Sequence, residues 1–460
     1  YKLLAFFHDL QSYGNRGDQR SFNQTDISTP ELAAKHQDLD RRKKEVLDKM
    51  VVIEQAGIVK MSAENQRKSE GRERGKLLKE KLEQHLDLEQ WKQYVELRDQ
   101  IERLNDIRLP PRESALSVAK CLVDPPKTHV LYRGNAHVKG VEVQPGFPTI
   151  YAAADPAIPP LSAGAKSSGR RTVLADWITA DNNMLSARVM ANRIWQHHFG
   201  RGIVRSTNNF GQLGDPPTHP ELLDWLAARF VEGGWRMKPL HRMIVTSSTY
   251  RMSSQADAAA LAKDPANDLF WRFDMRRLSA EELRDSIHAV TGRLNQQMYG
   301  PGIYPEISQE VLAGQSMPGA GWGKSSPEEQ ARRSVYIHIK RSLITPLLAD
   351  FDFPETDGSC AARFATTQPA QALGMLNGSF LHRQAAELAT RLKREAGDDR
   401  AAQVKLARRL ALCRQPDAAS VERGLKLMES LEKKHGIAAD KALDYYCLTV
   451  LNLNEFVYLD

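Results

Sequence analysis

Apolar residues recur at helical spacing along most of the chain. Leu3, Leu4, Phe6, Phe7 and Leu10 make a first stripe with no capping residue ahead of it, so Tyr1 reads as the interior of a helix cut from a longer protein. From Thr29 to Arg108 the pattern becomes charged, with Pro30 placed to open a helix and Gly57, Gly71 and Gly75 as its breaks. Two or three helices folding back as an antiparallel hairpin are expected there. Thr128 to Tyr132 and Val141 to Val143 are β-rich runs separated by Gly and Asn, a small hairpin. Ala152 to Gly169 is rich in Ala, Pro, Ser and Gly and reads as an exposed loop.

Beyond Gly169 the helical period returns. Leu174, Trp177 and Ile178, then Leu185, Val189, Ile194, Trp195 and Phe199, mark two helices, with Asn182 or Asn183 capping the second. Pro220 opens another, residues 235–250 one more, and Glu281 to Val290 is again amphipathic. Ser334 to Lys340 alternates and predicts a strand, and four helices close the chain over 378–396, 400–412, 418–435 and 439–455. The fold class is therefore mainly α, a multi-helical body with a protruding charged helical hairpin or coiled coil and a few short β-strands. Its divisions are a leading segment 1–28, the hairpin 29–108, a proline-rich connector with the β-hairpin 109–169, and a helical domain 170–460 with a mobile loop near 312–327.

Length and composition narrow the function classes. The chain has 460 residues, 41% hydrophobic and 26% charged, close to a globular average, and no apolar run long enough to span a bilayer. Net charge is +7, but residues 31–108 hold 18 basic against 17 acidic side chains, so the hairpin is a solvated, ion-paired element and no nucleic-acid partner is expected. The four cysteines lie far apart, which excludes a CxxC knuckle and the CxxCH of c-type haem attachment.

Candidate chemistry is sparse. His198 and His219, with Asp215 as an oxygen ligand, are the candidate metal set, against the alternative of a histidine that favours a helix C-terminus. Cys413 and Cys447 lie in consecutive C-terminal helical segments and are the candidate disulfide. Cys360, near Arg363, is either a nucleophile with a lowered pKa or a small buried thiol. Arg133, His137 and Glu142, in the β-hairpin, would join Asp352, Cys360 and Arg363 in a cleft if the protein is an enzyme; His198 and His219 would complete it. Trp177, Trp195, Trp225 and Trp235 are spaced as core anchors.

Several ordered segments carry a resemblance. Gly169–Arg171, Leu174–Ile178, Ala187–Ile203, Thr218–Leu226, Val245–Arg251, Phe351–Pro354, Ser359–Cys360, Thr366–Thr367, Gln371–Leu373 and Asn454–Phe456 resemble the C-terminal domain of planctomycete secreted cytochrome-c-like proteins, a domain of unknown function. By that resemblance residues 1–28 are the tail of the adjoining cytochrome-associated domain. The resemblance implies a periplasmic or secreted setting at the cell envelope, no cofactor bound by this chain, and a c-type haem on a missing N-terminal domain or on a partner. The chain is then expected to be a scaffold or docking module supporting electron transfer. The alternatives are the catalytic part of a haem-coupled sugar or alcohol dehydrogenase or of a polysaccharide hydrolase, or a carbohydrate-binding or surface-assembly protein. The family carries over no catalytic residues.

Overall fold

The computed structural model describes residues 1–10, 24–71, 73–118, 121–151 and 154–459. It divides into two compact units, Tyr1–Ala180 and Asp181–Asp460, and is mainly α. No helix among the described residues is long and apolar enough to cross a membrane.

In the first unit the charged segment folds as α1 (Pro30–Ile58), α2 (Ala63–Ser69), α3 (Arg74–Lys81) and α4 (Leu88–Asp106). Thr29 Oγ1 accepts from the Leu32 N–H ahead of Pro30, and Asp87 with Gln90 forms a capping box on α4. α1 and α4 run antiparallel. Tyr94 donates to Glu54 near the end of α1, whereas the Pro110 carbonyl and Arg112 meet His36 and Asp40 near its start. Leu39, Val46, Met50 and Ile53 pack against Leu97 and Leu104 as the hairpin's own core. Gly57 sits in the last turn of α1 and not at a break. A Cβ there would lie 2.5 Å from Leu82, so the missing side chain lets the next segment approach. β1 (Gln24–Asp26) pairs antiparallel with β2 (Ser114–Leu116), closing the two ends of the hairpin.

The opening stripe is not the expected helix. Only Leu4–Phe6 form a 3-10 turn, without a side-chain cap, because so short a segment gains more from stacking Phe6 on Phe147, and Phe147 on Trp177, than from helix propagation. Residues 11–23, inside the predicted 1–28 segment, lie outside the described residues. The expected β-hairpin forms from β3 (Thr128–Leu131) and β4 (Lys139–Val143), and α5 (Arg170–Ile178) ends the unit.

The second unit holds two cores. α6 (Met184–Phe199), α7 (Pro220–Glu232) and α8 (Met237–Val245) enclose Trp195, Phe199, Phe230, Phe270 and Phe273. After the short α9 (Ala258–Lys263) and β5 (Arg276–Arg277), the larger core begins at α10 (Ala280–Thr291). Three short helices follow, α11 (Gln309–Ala313), α12 (Pro327–Gln330) and α13 (Pro346–Asp350), then α14 (Pro369–Asn377), α15 (Ser379–Ala396), α16 (Arg400–Leu412), α17 (Ala418–His435) and α18 (Ala439–Leu451). The chain ends in α19 (Asn454–Val457) and β6 (Tyr458–Leu459), which pairs with β5 where a continuous terminal helix was expected.

The predicted strand at Ser334 to Lys340 is a 3-10 turn over Ser334–Tyr336 with one parallel bridge, Ile303 to Ile337. Polar groups at its start are held by α10: Asp285 accepts the Ser334 N–H and Arg284 donates to the Ser334 hydroxyl. The 312–327 segment is tied by Trp322, which donates to the Pro305 carbonyl at 3.1 Å, and by Lys340, which donates to Ala320.

Leu388 on α15 is fully buried in the larger core. Leu388→Ala should lower the unfolding free energy by about 2–5 kcal/mol in urea titration; a loss below about 1 kcal/mol would mean that α15 is not central to that core.

Candidate functional site

α10 starts with a capping box between Ser279 and Glu282 and buries a face made of Leu283, Ile287 and Val290. Two polar residues fall on the same face one turn apart, Arg284 and His288, both less than a tenth exposed. The Arg284 guanidinium donates to the carbonyls of Arg332 (3.0 Å) and Gln330 and to Ser334 Oγ (3.2 Å), with Asp285 3.8 Å away. Burial lowers it to about 10, so it stays charged at neutral pH.

His288 is different. Burial, reinforced by the positive charges of Arg284 and Arg293, lowers it to about 3, so the ring is neutral. Its edge meets the Phe380 ring at 5.4 Å between centroids, yet neither nitrogen has a hydrogen-bond partner among the described residues. A buried polar atom left unbonded costs about 1–3 kcal/mol, and the packing around the ring closes both nitrogens off, so the imidazole is a strained, uncharged part of the core at α10.

Arg284 and His288 help to line a cavity of about 620 Å³. Asp350, the last residue of α13, lines it with a carboxyl raised above its ordinary value by burial, and has no hydrogen-bond or ion-pair partner among the described residues. A Cβ on Gly374 would come within 2.8 Å of Asp350 Oδ2, so only glycine leaves that carboxyl its place. Two further arginines on the lining are matched by carboxylates: Arg383 by Glu306 at 3.1 Å and Arg293 by Glu387 at 4.0 Å. The Asp350 carboxyl, without a protein partner, can accept hydrogen bonds from a ligand or pair with a cation in this cavity.

A family model described as "PSD1: Protein of unknown function (DUF1553)" matches residues 170–428, more than half of the chain. The chain belongs to this family. No curated protein and no solved structure matches it. Every cavity-lining residue falls inside the PSD1 match.

The residues expected from sequence lie elsewhere in the PSD1 chain. In the first unit Arg133 is exposed at the hairpin tip at φ 50°, 5.8 Å from the Tyr132 ring centroid, and the exposed His137 is held through its backbone by Asn135. Glu142 pairs with Lys127 at 2.8 Å, which holds its carboxyl below the ordinary range. In the second unit Asp352 accepts from the Thr366 backbone N–H and hydroxyl and pairs with buried Arg277 at 2.7 Å. Burial raises that carboxyl, but these contacts outweigh it and the net shift is downward. Arg363 pairs with Glu281 at 2.6 Å, and the exposed Cys360 thiol donates to the Ala362 carbonyl.

The expected metal set does not assemble. His198 Nε2 lies 2.8 Å from His241 Nδ1, His219 bonds Thr218 and faces Phe270, and Asp215 is exposed with its backbone N–H on Ser206. Among the described residues no group of three His, Cys, Asp or Glu could hold a metal ion. The disulfide is absent too: Cys413 is an exposed, free residue capping α16, while Cys447 is free and buried in α18, its thiol pushed up by burial. Arg284, His288 and Asp350 escaped the sequence reading. The available signal was a cationic residue and a histidine four apart on the apolar face of Glu281 to Val290.

Because the unfolded chain protonates His288 near pH 6.5 and the folded chain only near 3, the folded state loses up to about 5 kcal/mol as pH falls through that window and keeps its full stability above it. Urea midpoints at pH 7 and pH 4.5 should show a larger drop for the wild type than for His288→Phe, and equal drops would contradict this. Asp352→Ala should cost about 3–5 kcal/mol in the same assay by stranding Arg277, and an unchanged midpoint would show that the pair is not structural.

Proposed function

We propose that the chain is the C-terminal docking module of an exported, c-type-cytochrome-associated protein, and that its second unit binds a small polar organic molecule. The setting rests on the resemblance of the segments between Gly169 and Phe456 to the planctomycete secreted proteins. Since the sequence has no CxxCH, the haem belongs to another domain or a partner. The binding role rests on one observation, the Asp350 carboxyl left without a hydrogen-bond or ion-pair partner among the described residues on the lining of a 620 Å³ cavity.

A thermal-unfolding screen of small polar organic compounds tests the binding role. A ligand at about 100 times its Kd should raise the wild-type midpoint by about 5 °C and leave Asp350→Asn unmoved. No compound acting on the wild type, or equal shifts in both proteins, would overturn the role. Intact-mass analysis with haem staining of the protein from its natural source tests the setting, which a preparation free of covalent haem would overturn.

A further inference from the structure

The cavity wall is mixed in character. Pro305, Val311, Pro327, Pro346, Leu347 and Phe380 give it apolar surface, against which the hydrocarbon of a ligand can lie. Its arginines are matched within the chain. Arg383 pairs with Glu306 at 3.1 Å, and Arg293 lies 4.0 Å from Glu387. Arg284 gives its terminal nitrogens to three oxygens of the 330–334 segment, with Asp285 3.8 Å away. The His288 nitrogens are sealed by packing and offer a ligand nothing.

Asp350 is left over. Its carboxyl has no hydrogen-bond or ion-pair partner among the described residues, and unlike the His288 nitrogens its oxygens are not closed off from the space. Burial is the sole cause of its raised proton affinity, so no cation of the chain offsets the cost of ionising it. Gly374 in α14 leaves the carboxyl its room, which a Cβ 2.8 Å from Oδ2 would take. A carboxylate partly withdrawn from water and unpaired is relieved most by a cation that also carries N–H donors. An anionic ligand would be repelled by Asp350 and would find each arginine already matched. A hydroxyl compound would bond the carboxylate without cancelling its charge. A metal ion needs several protein ligands, and no group of three His, Cys, Asp or Glu among the described residues provides them.

We propose that this cavity binds a small organic amine in its ammonium form, with the N–H groups on the Asp350 carboxylate and the hydrocarbon body against the proline and leucine wall. The proposal rests on the reading of the cavity as a binding site and names its ligand class. The volume of about 620 Å³ falls within the roughly 300–1,000 Å³ of sites that enclose small organic ligands.

Isothermal titration of the full chain near neutral pH with butylamine, cyclohexylamine and benzylamine, and separately with butanol, cyclohexanol, benzyl alcohol and calcium chloride, tests it. At least one amine should bind, about 10-fold or more tightly than the alcohol of the same shape. Asp350→Asn, which keeps size and shape, should weaken that amine about 10- to 100-fold while keeping the wild-type circular-dichroism spectrum. Gly374→Ala, which sets a methyl against Asp350 Oδ2, should weaken it too, and it reports if Asp350→Asn does not fold. Alcohols that match their amines, or calcium binding in place of the amines, would overturn the ligand class and leave the binding role standing. Amine binding unaffected by both substitutions would place the site elsewhere and overturn the proposal. Silence from these titrants alongside a positive thermal screen overturns this proposal alone, and silence in both overturns the two together.

Discussion

The Arg284 guanidinium is the constraint around which the site is built. It is buried and it must remain charged, so the chain itself has to supply most of its hydrogen bonds. The carbonyls of Gln330 and Arg332 and the Ser334 hydroxyl provide them, pinning an irregular segment against α10. That same charge, one turn from His288, helps keep the imidazole neutral. The cavity wall and the protonation state of His288 thus share one cause.

Arginine holds irregular backbone in the same way elsewhere in the second unit. Arg277 donates to the carbonyls of Thr366 and Phe351, Arg332 to those of Gln297, Tyr299 and Pro301, Arg201 to those of Ala266 and Asn267, and Arg391 to those of Ala289 and Val290. Long stretches between the helices lack sheet partners, and their carbonyls need donors. Guanidinium groups supply several at once in a fixed plane. Several of the arginines in the composition therefore serve backbone carbonyls inside the second unit.

Sequence periodicity carried most of the helices because their apolar stripes are long and their starts are chemically marked. Thr29 with Pro30 and Pro220 sit where helices begin, and the hairpin's mixed charge did mean ion-paired helices. It failed where tertiary contacts compete for the backbone. Ser334 to Lys340 alternates like a strand, but its polar groups answer Arg284 and Asp285; the first ten residues look helical, but stack their aromatics instead. The site was hidden for a related reason. Its members come from α10, α13 and α15, and no local spacing announces that His288, Asp350 and Phe380 line one space. Cys360, Cys413 and the paired histidines attracted notice because their residue types are reactive, whereas the structure gives them ordinary roles as surface thiols and helix-end contacts.

The central claim is that the buried Arg284 charge pins the 330–334 segment against α10 and, together with burial, keeps His288 neutral. An NMR pH titration of the His288 ring in the folded chain tests this directly. The account expects the imidazole to stay neutral down to about pH 3. Protonation at the ordinary value of 6.5 would contradict it.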